Sequence, residues 1–287
     1  MSDGGRLERL VLATHTHPEQ TAETVRSVLE AATGAGCEVL AEQREFDKHP
    51  ALAEGASLVE DGGPDPDLCL VLGGDGSILQ ALRRWSGTDV AVLGVNFGTI
   101  GFLAAIERDE LGSGLERVFG REFDVMEMPG LELGMEIERP VGLNDVSFTR
   151  RAHGRVAELS YSLGGEELGH VRCDGLVAAT PAGSTGYNLA NSGPILAWGV
   201  EGYVVSFIAP HTLTARALVA APPDTLHVSN ARGREPVEIA LDGEPVGELD
   251  SGDEVEIRFR DAVARLAQAP GSSFYRRMRE KFGRLAS

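Results

Sequence analysis

One carboxylate and one hydroxyl sit inside the stretch Gly73-Gly74-Asp75-Gly76-Ser77, which follows directly on the apolar run Leu68 to Leu72. These residue types at this spacing suit phosphate handling. Glycine has no Cβ to hold a ligand off the backbone and tolerates positive φ, so successive N–H groups can converge on phosphate oxygens. Ile78, Leu79, Ala81 and Leu82 follow at helical spacing, which predicts a helix N-terminus, with its partial positive charge, beside the same anion. The stretch also fits a plain strand-to-helix turn with Asp75 as its N-cap. The turn by itself does not separate the two.

A second pair, Asn144-Asp145, stands ahead of an apolar segment. Amide and carboxylate together offer donors and acceptors, which suits a ribose diol or an adenine edge, and they equally suit an Asx turn at a hairpin. The third constellation runs from Arg172 through Asp174-Gly175 and Thr180-Pro181-Ala182-Gly183-Ser184-Thr185-Gly186-Tyr187-Asn188 to Pro194. Small residues let a flat ligand approach the backbone, Tyr187 can lie against a ring, and Asp174 can accept from a hydroxyl or amide. So many hydroxyls beside a ring and a carboxylate point to binding.

The elements that must position these groups fall into two regimes. Residues 7 to 120 alternate apolar runs (Leu10 to Ala13, Val39-Leu40, Leu68 to Leu72, Val90 to Val95) with helical patterns after Pro18, near Leu52 to Val59, after Ser77 and over Asp109 to Phe119. Such alternation predicts a parallel sheet covered by helices. Beyond about residue 122 the period becomes two, with short runs such as Val156 to Leu163, Gly175 to Ala179, Val204 to Ile208, Thr225 to Val228, Val237 to Leu241 and Glu254 to Arg258. That spacing predicts layered antiparallel sheets. The expected fold class is therefore α/β plus all-β. It comprises an N-terminal Rossmann-like parallel α/β domain (1–121), a C-terminal layered β-sandwich domain (122–268), and a closing helix (269–287) packed back on the N-terminal domain.

Composition narrows the function classes. The chain has 287 residues and a net charge of −18, and no basic run offsets the charge, which argues against nucleic acid as a partner. No apolar run approaches the roughly 18 residues of a membrane span, and the N-terminus lacks a basic region followed by an apolar one, so the expected location is the cytoplasm. Cys37, Cys69 and Cys173 are odd in number and far apart, which predicts buried thiols. Of the 26 basic residues only Lys48 and Lys281 are lysine. Scattered acid with so little lysine fits a protein of salt-rich solvent, where charges are screened over about 3 Å at 1 M salt, and fits an ordinary acidic surface as well. Motifs for P-loop, dinucleotide-fingerprint, protein-kinase and G-x-S-x-G chemistry are absent.

Taken together, the three constellations resemble the NAD kinase family. Gly73 to Ser77 is similar to its GGDG[TS] motif, Asn144-Asp145 to its N[ED] pair, and Asp174-Gly175 through Asn188 to its DG…TP.GST.Y block. Pro210 to Arg216, Leu241-Asp242-Gly243 and Phe274-Tyr275-Arg276 add further similarity, in the family's order, over about three quarters of the chain. The resemblance implies transfer of a phosphoryl group from ATP or polyphosphate, with Mg²⁺ or another divalent cation carried by the donor, to the 2′-hydroxyl of the adenosine ribose of NAD. No metal-binding residue is expected from the protein itself.

By the same resemblance Asp75 is the general base, flanked by Gly74 and Gly76. Asn144 and Asp145 hold adenosine, and Ala182, Thr185, Gly186, Tyr187, Asn188, Leu189 and Ala190 line the dinucleotide groove. Asp174 and Arg172 lie near the nicotinamide riboside or a subunit contact, with Arg155 close by and Ala209 and Glu244 as more distal positions. A homodimer or homotetramer is implied. Departures from the pattern are Gly186 for Ala, Ser77 for Thr, Ala182 for Thr, and Gln80 where relatives often carry Arg near the donor phosphates. The first motif is shared with lipid and sugar kinases, and a non-catalytic dinucleotide sensor would keep the other two.

Overall fold

The computed structural model describes residues 6–59, 65–98, 101–138, 140–151 and 155–283. Two compact units divide the chain: Met1–Glu127 together with Ala264–Ser287, and Met128–Val263. The divisions fall inside two long strands rather than at 121 and 268.

In the first unit β1 (Arg9–Thr14), β2 (Glu38–Ala41), β3 (Ala56–Leu58), β4 (Leu68–Gly73) and β5 (Ala91–Asn96) form a parallel sheet in the order β5-β4-β1-β2-β3. The short strand β6 (Ile106–Glu107) extends it beside β5. Every residue of β4 and β5 is buried, as a strand covered on both faces requires. The helices are α1 (Ala22–Ala35), α2 (Gln43–Lys48), α3 (Asp75–Arg84) and α4 (Leu111–Phe119). Val25, Val28 and Ala32 of α1 and Leu115 and Val118 of α4 join the core made by the strands. The chain steps from β1 outward to β2 and β3, then returns to β4 on the other side of β1. The order reverses between β1 and β4, and open α/β sheets take ligands outside the carboxyl ends at such a point.

One expected element differs. The helix anticipated near Leu52 to Val59 is a 3-10 turn, Pro50–Glu54, followed by β3, which pairs with β2 in parallel. A sheet edge outweighs the helical propensity of a short segment.

The second unit is antiparallel. One sheet runs β14 (Leu218–Ala220), β13 (Tyr203–Ile208), β12 (Gly175–Ala179), β9 (Asp145–Arg150), β16 (Val237–Leu241), β17 (Glu244–Leu249). The other contains β11 (Glu166–Cys173), β10 (Ala157–Leu163), β15 (Leu226–Ser229) and β18 (Glu254–Gln268), with β7 (Asp124–Leu133) beside β18 and β8 (Val141–Gly142) beside β7. Inward side chains of both sheets, among them Leu131, Phe148, Leu159, Leu176, Tyr203 and Ile257, make one core. The last residues of β18 lie in the first unit, where Arg265 and Leu266 pair in parallel with Ala91 and Val92. Helix α5 (Tyr187–Ala190) is a single turn, and α6 (Phe274–Phe282) closes the chain.

The three cysteines are buried and unbridged. Burial pushes the thiols up, Cys37 to about 11 and Cys69 and Cys173 to about 12, so they stay protonated and inert. No helix of the described residues is long and apolar enough to cross a membrane.

Candidate active site

The glycine turn leaves β4 at the reversal point of the sheet and enters α3. Gly74 is the N-cap and Asp75 the first helical residue, so the carboxylate is not a cap. It reaches instead to another segment: one oxygen accepts the amide of Phe102 at 2.8 Å, the other that of Leu103 at 3.0 Å. Each oxygen keeps a further lone pair. Burial pushes the Asp75 carboxyl above the usual carboxylate range, opposed by these two amides and then by Arg277 and Lys281. The group is thus a better proton acceptor than a free aspartate, yet it is held in one orientation.

Positive φ is not the reason for the glycines, contrary to the expectation from sequence: Gly73, Gly74 and Gly76 all keep negative or extended backbones. At Gly73 close approach is the reason: a Cβ there would stand 2.6 Å from that of Ser77, whereas one on Gly74 would make ordinary contact with the Cα of Gly98 at 3.6 Å and Gly76 opens onto free space. Beside the turn, Asn96, Phe97, Gly98, Glu107, Arg108 and Asp109 line a cavity of about 550 Å³.

The segment that holds Asp75 is itself held by α6. Arg277 donates to the carbonyls of Phe102 (2.9 Å) and Ala104 and to Oε1 of Gln268, whose Nε2 donates to the carbonyl of Leu103 at 2.8 Å. Phe282 packs on Phe102 with ring centroids 5.3 Å apart.

In the second unit, the other two constellations meet at one end of β12, β9 and β16. Ala179 pairs with Asp145, and Leu241 with Val146. Asp242, just past β16, accepts three consecutive amides: Leu143 at 3.0 Å, Asn144 at 2.6 Å and Asp145 at 3.0 Å. The Asn144-Asp145 turn is therefore built around a carboxylate 97 to 99 residues away. Burial first, and Asp242 second, push the Asp145 carboxyl up to about 7. The 180s loop packs on the same turn, since Thr180 donates to the carbonyl of Leu143 at 2.7 Å. A Cβ on Gly183 would fall 1.9 Å from the carbonyl oxygen of Asn144, so nothing larger than glycine fits there.

Of the expected groove residues, Asn188 is fully buried and ties the loop together through the carbonyls of Ser184 (2.9 Å) and Pro194 (3.0 Å). Ala182 is buried, Thr185 and Leu189 are half-buried, and Gly186, Tyr187 and Ala190 are exposed. Burial raises the Tyr187 phenol, and Asp145 and Asp174 add to the effect.

Asp174 lies at the opposite end of β9, its oxygens paired with Arg150 at 2.7 and 3.5 Å. Five residues of strand separate Asp145 from Arg150, about 17 Å at ~3.4 Å per residue. A cavity of about 870 Å³ opens at this second end, lined by Arg150, Arg155, Arg172, Asp174 and His211 among others. Arg172 pairs with Glu158 at 3.3 Å, and Arg155 approaches Glu235 at 4.0 Å. Ala209 is exposed with φ +41, and Glu244 opens β17 on the exposed surface beside Asp242.

Sequence reasoning did not single out Arg150, Asp242 as a strut, Arg277, or the amides of Phe102 and Leu103. Only Asp242 carried a local signal, the Leu241-Asp242-Gly243 tripeptide. Among the described residues no three His, Cys, Asp or Glu side chains cluster as a metal site.

A glycine turn with a held carboxylate at the reversal point of a parallel sheet places the first unit among the open α/β proteins that bind ligands there. The family model of the ATP-NAD kinase N-terminal domain matches residues 10–123, and that of the ATP-NAD kinase C-terminal domain residues 143–268. The NAD kinase of Syntrophotalea carbinolica is 35% identical over 284 residues, covering 95% of this chain and 97% of that one. That of Citrifermentans bemidjiense is 33% identical over 283 residues, covering 96% and 98%. The chain belongs to the NAD kinase family.

Solved structures share the fold. A yeast NADH kinase complexed with NADH superposes with a TM-score of 0.84 at 21% identity, covering 99% of this chain and 89% of that one. An NAD kinase from Archaeoglobus fulgidus in complex with ATP gives 0.71, also at 21%, covering 96% and 97%.

Proposed function

We propose that the chain is an NAD kinase that moves the terminal phosphoryl group of ATP, or of inorganic polyphosphate, to the 2′-hydroxyl of the adenosine ribose of NAD, giving NADP. The observation that carries this reading is the Asp75 carboxylate, fixed by two amides at the ligand-binding point of the sheet. It accepts the hydroxyl proton as the ribose oxygen bonds to phosphorus and the bond to the departing phosphate oxygen breaks. A positioned base contributes about 10²–10⁴ in rate. Mg²⁺ arrives on the donor's phosphates as part of that substrate and neutralises charge there.

Asn144 and Asp145 take the adenosine end. Tyr187, Thr185, Gly186, Leu189 and Ala190 face the dinucleotide, with Ala182 and Asn188 shaping the loop beneath them. The groups around Asp174, Arg150 and Arg172 take the nicotinamide riboside end, and the strand length between Asp145 and Arg150 matches an elongated ligand with two recognised ends. Arg155 lines the same cavity as Arg172 and Asp174, and Ala209 and Glu244 lie further out. We further propose a homodimer or homotetramer in the cytoplasm, with the acid-rich, lysine-poor surface suited to high salt.

The test is direct. The protein is incubated with NAD, Mg²⁺ and ATP or polyphosphate at low and high salt, and NADP is followed by an NADP-specific dehydrogenase. NADP formation is expected, and its absence with every donor overturns the proposal.

A further inference from the structure

We propose that Arg277, on the closing helix, is a positioning residue for the catalytic base: it fixes the 102–104 segment from its carbonyl side so that the amides of that segment hold Asp75. The inference rests on the reading of Asp75 as the base.

The segment has no ladder of its own. Residues 101–105 form neither helix nor strand, and within them the amide of Ala105, bonded to the Gly94 carbonyl at 2.8 Å, belongs to the far end. Phe102, Leu103 and Ala104 are nonetheless buried, so their carbonyls need partners. Arg277 takes the first and third, and Gln268, itself bonded to Arg277, takes the second. The amide of Leu103, on the other edge of the peptide whose carbonyl Arg277 holds, and that of Phe102, one peptide earlier, then point at the two oxygens of Asp75. A planar guanidinium with several donors in a rigid fork can span two carbonyls and an amide oxygen, which a lysine ammonium cannot reproduce.

A second strut from the same helix supports the turn. Lys281 reaches Glu107 at 3.2 Å, Glu107 accepts from Asn96 at 2.8 Å, and Asn96 accepts the amide of Gly98 at 2.9 Å, the residue lying against Gly74. Arg277 also faces Asp75 electrostatically, alongside Lys281, while Glu107 and Glu280 face Arg277. Arg276, one residue earlier, is exposed and pairs with Glu280 at 2.9 Å. It is the natural control.

The test compares Arg277→Met, Arg277→Lys and Arg276→Gln with wild type and with Asp75→Asn, measuring kcat, KM for NAD and the pH profile of kcat. Arg277→Met is expected to lower kcat by about 10–100-fold, as a misplaced catalytic group does, with KM for NAD within about twofold. Its acidic limb shifts up by about one pH unit, because a cation that favoured the ionised carboxylate has gone. Arg277→Lys restores the limb but not the full kcat, and Arg276→Gln matches wild type.

In the Asp75→Asn background Arg277→Met has no further effect. An Arg277→Met enzyme that melts like wild type and keeps kcat and the limb overturns the inference, as does a loss of kcat that Asp75→Asn does not absorb. Should Arg277→Met not fold, Gln268→Met, which removes the donor to Leu103, carries the same kcat and double-variant comparison. Full turnover by Asp75→Asn overturns the underlying reading instead, so the two failures are distinct.

Discussion

Two turns in this molecule are each built around an aspartate whose carboxylate accepts consecutive backbone amides, and the two use it differently. At Asp75 the carboxylate that is held is also the one proposed to react. At the Asn144-Asp145 turn the held carboxylate, Asp242, is a strut, and the neighbouring Asp145 is pushed up to about 7 by burial and by that strut. For Asp75 the amides and two cations oppose the effect of burial. The contrast is that the proposed base has amides and cations that favour its charged form against burial, whereas at the proposed recognition group burial and Asp242 both favour the neutral form.

The largest effect expected from breaking this contrast is at the base. Asp75→Asn keeps size and shape but cannot take a proton, so kcat should fall by about 10²–10⁴ while NAD binding, followed by calorimetry, changes little. Turnover at the wild-type rate would place the base elsewhere.

Removing the strut comes next. Asp242→Ala leaves three amides without their acceptor, and hydrogen bonds to a charged group contribute roughly 1.5–3 kcal/mol each. A loss of about 3 kcal/mol or more in urea unfolding is expected, with KM for NAD raised about tenfold as the turn loosens. An intact KM would show that the turn keeps its shape without the strut.

These two turns also mark what the sequence disclosed. Gly73 to Ser77 and Asn144-Asp145 were legible because each is a local signal: an apolar run emptying into glycines, or an amide beside a carboxylate. That β1, β4 and β5 are parallel was readable from the alternation of apolar runs with helical patterns, and their order was not. Asp242 and Arg277 were not legible as supports, since they act across 97 to 99 and 173 to 175 residues of chain, a distance over which periodicity carries no information. The strand Glu244–Leu249 escaped because Pro245 and Gly247 interrupt its alternation, and β18, 15 residues long, was legible only from Glu254 to Arg258 because its middle is polar and exposed. The positive φ open to the glycines of the turn is not used. The tight contact at Gly73 is made with Ser77, four residues on, and exists only once the turn has entered the helix.

The last of these effects is the most specific test of the contrast. Asp145 is 6% exposed and titrates at about 7 in the folded protein, whereas an unfolded aspartate titrates near its model value of 3.8. Between those values the folded state binds the extra proton, so the free energy of unfolding falls as pH rises. Asp145 therefore weakens the fold progressively from about pH 4 to about pH 7. Three units at about 1.4 kcal/mol each make the full effect on the order of 4 kcal/mol. Asp145→Asn cannot ionise, so the difference in urea stability between variant and wild type should grow in the variant's favour from pH 5 to pH 8. Substitution of Asp242 as well should shrink that difference, because Asp242 is the second cause of the shift. A difference independent of pH would mean that Asp145 is ionised throughout and that burial and Asp242 do not raise it.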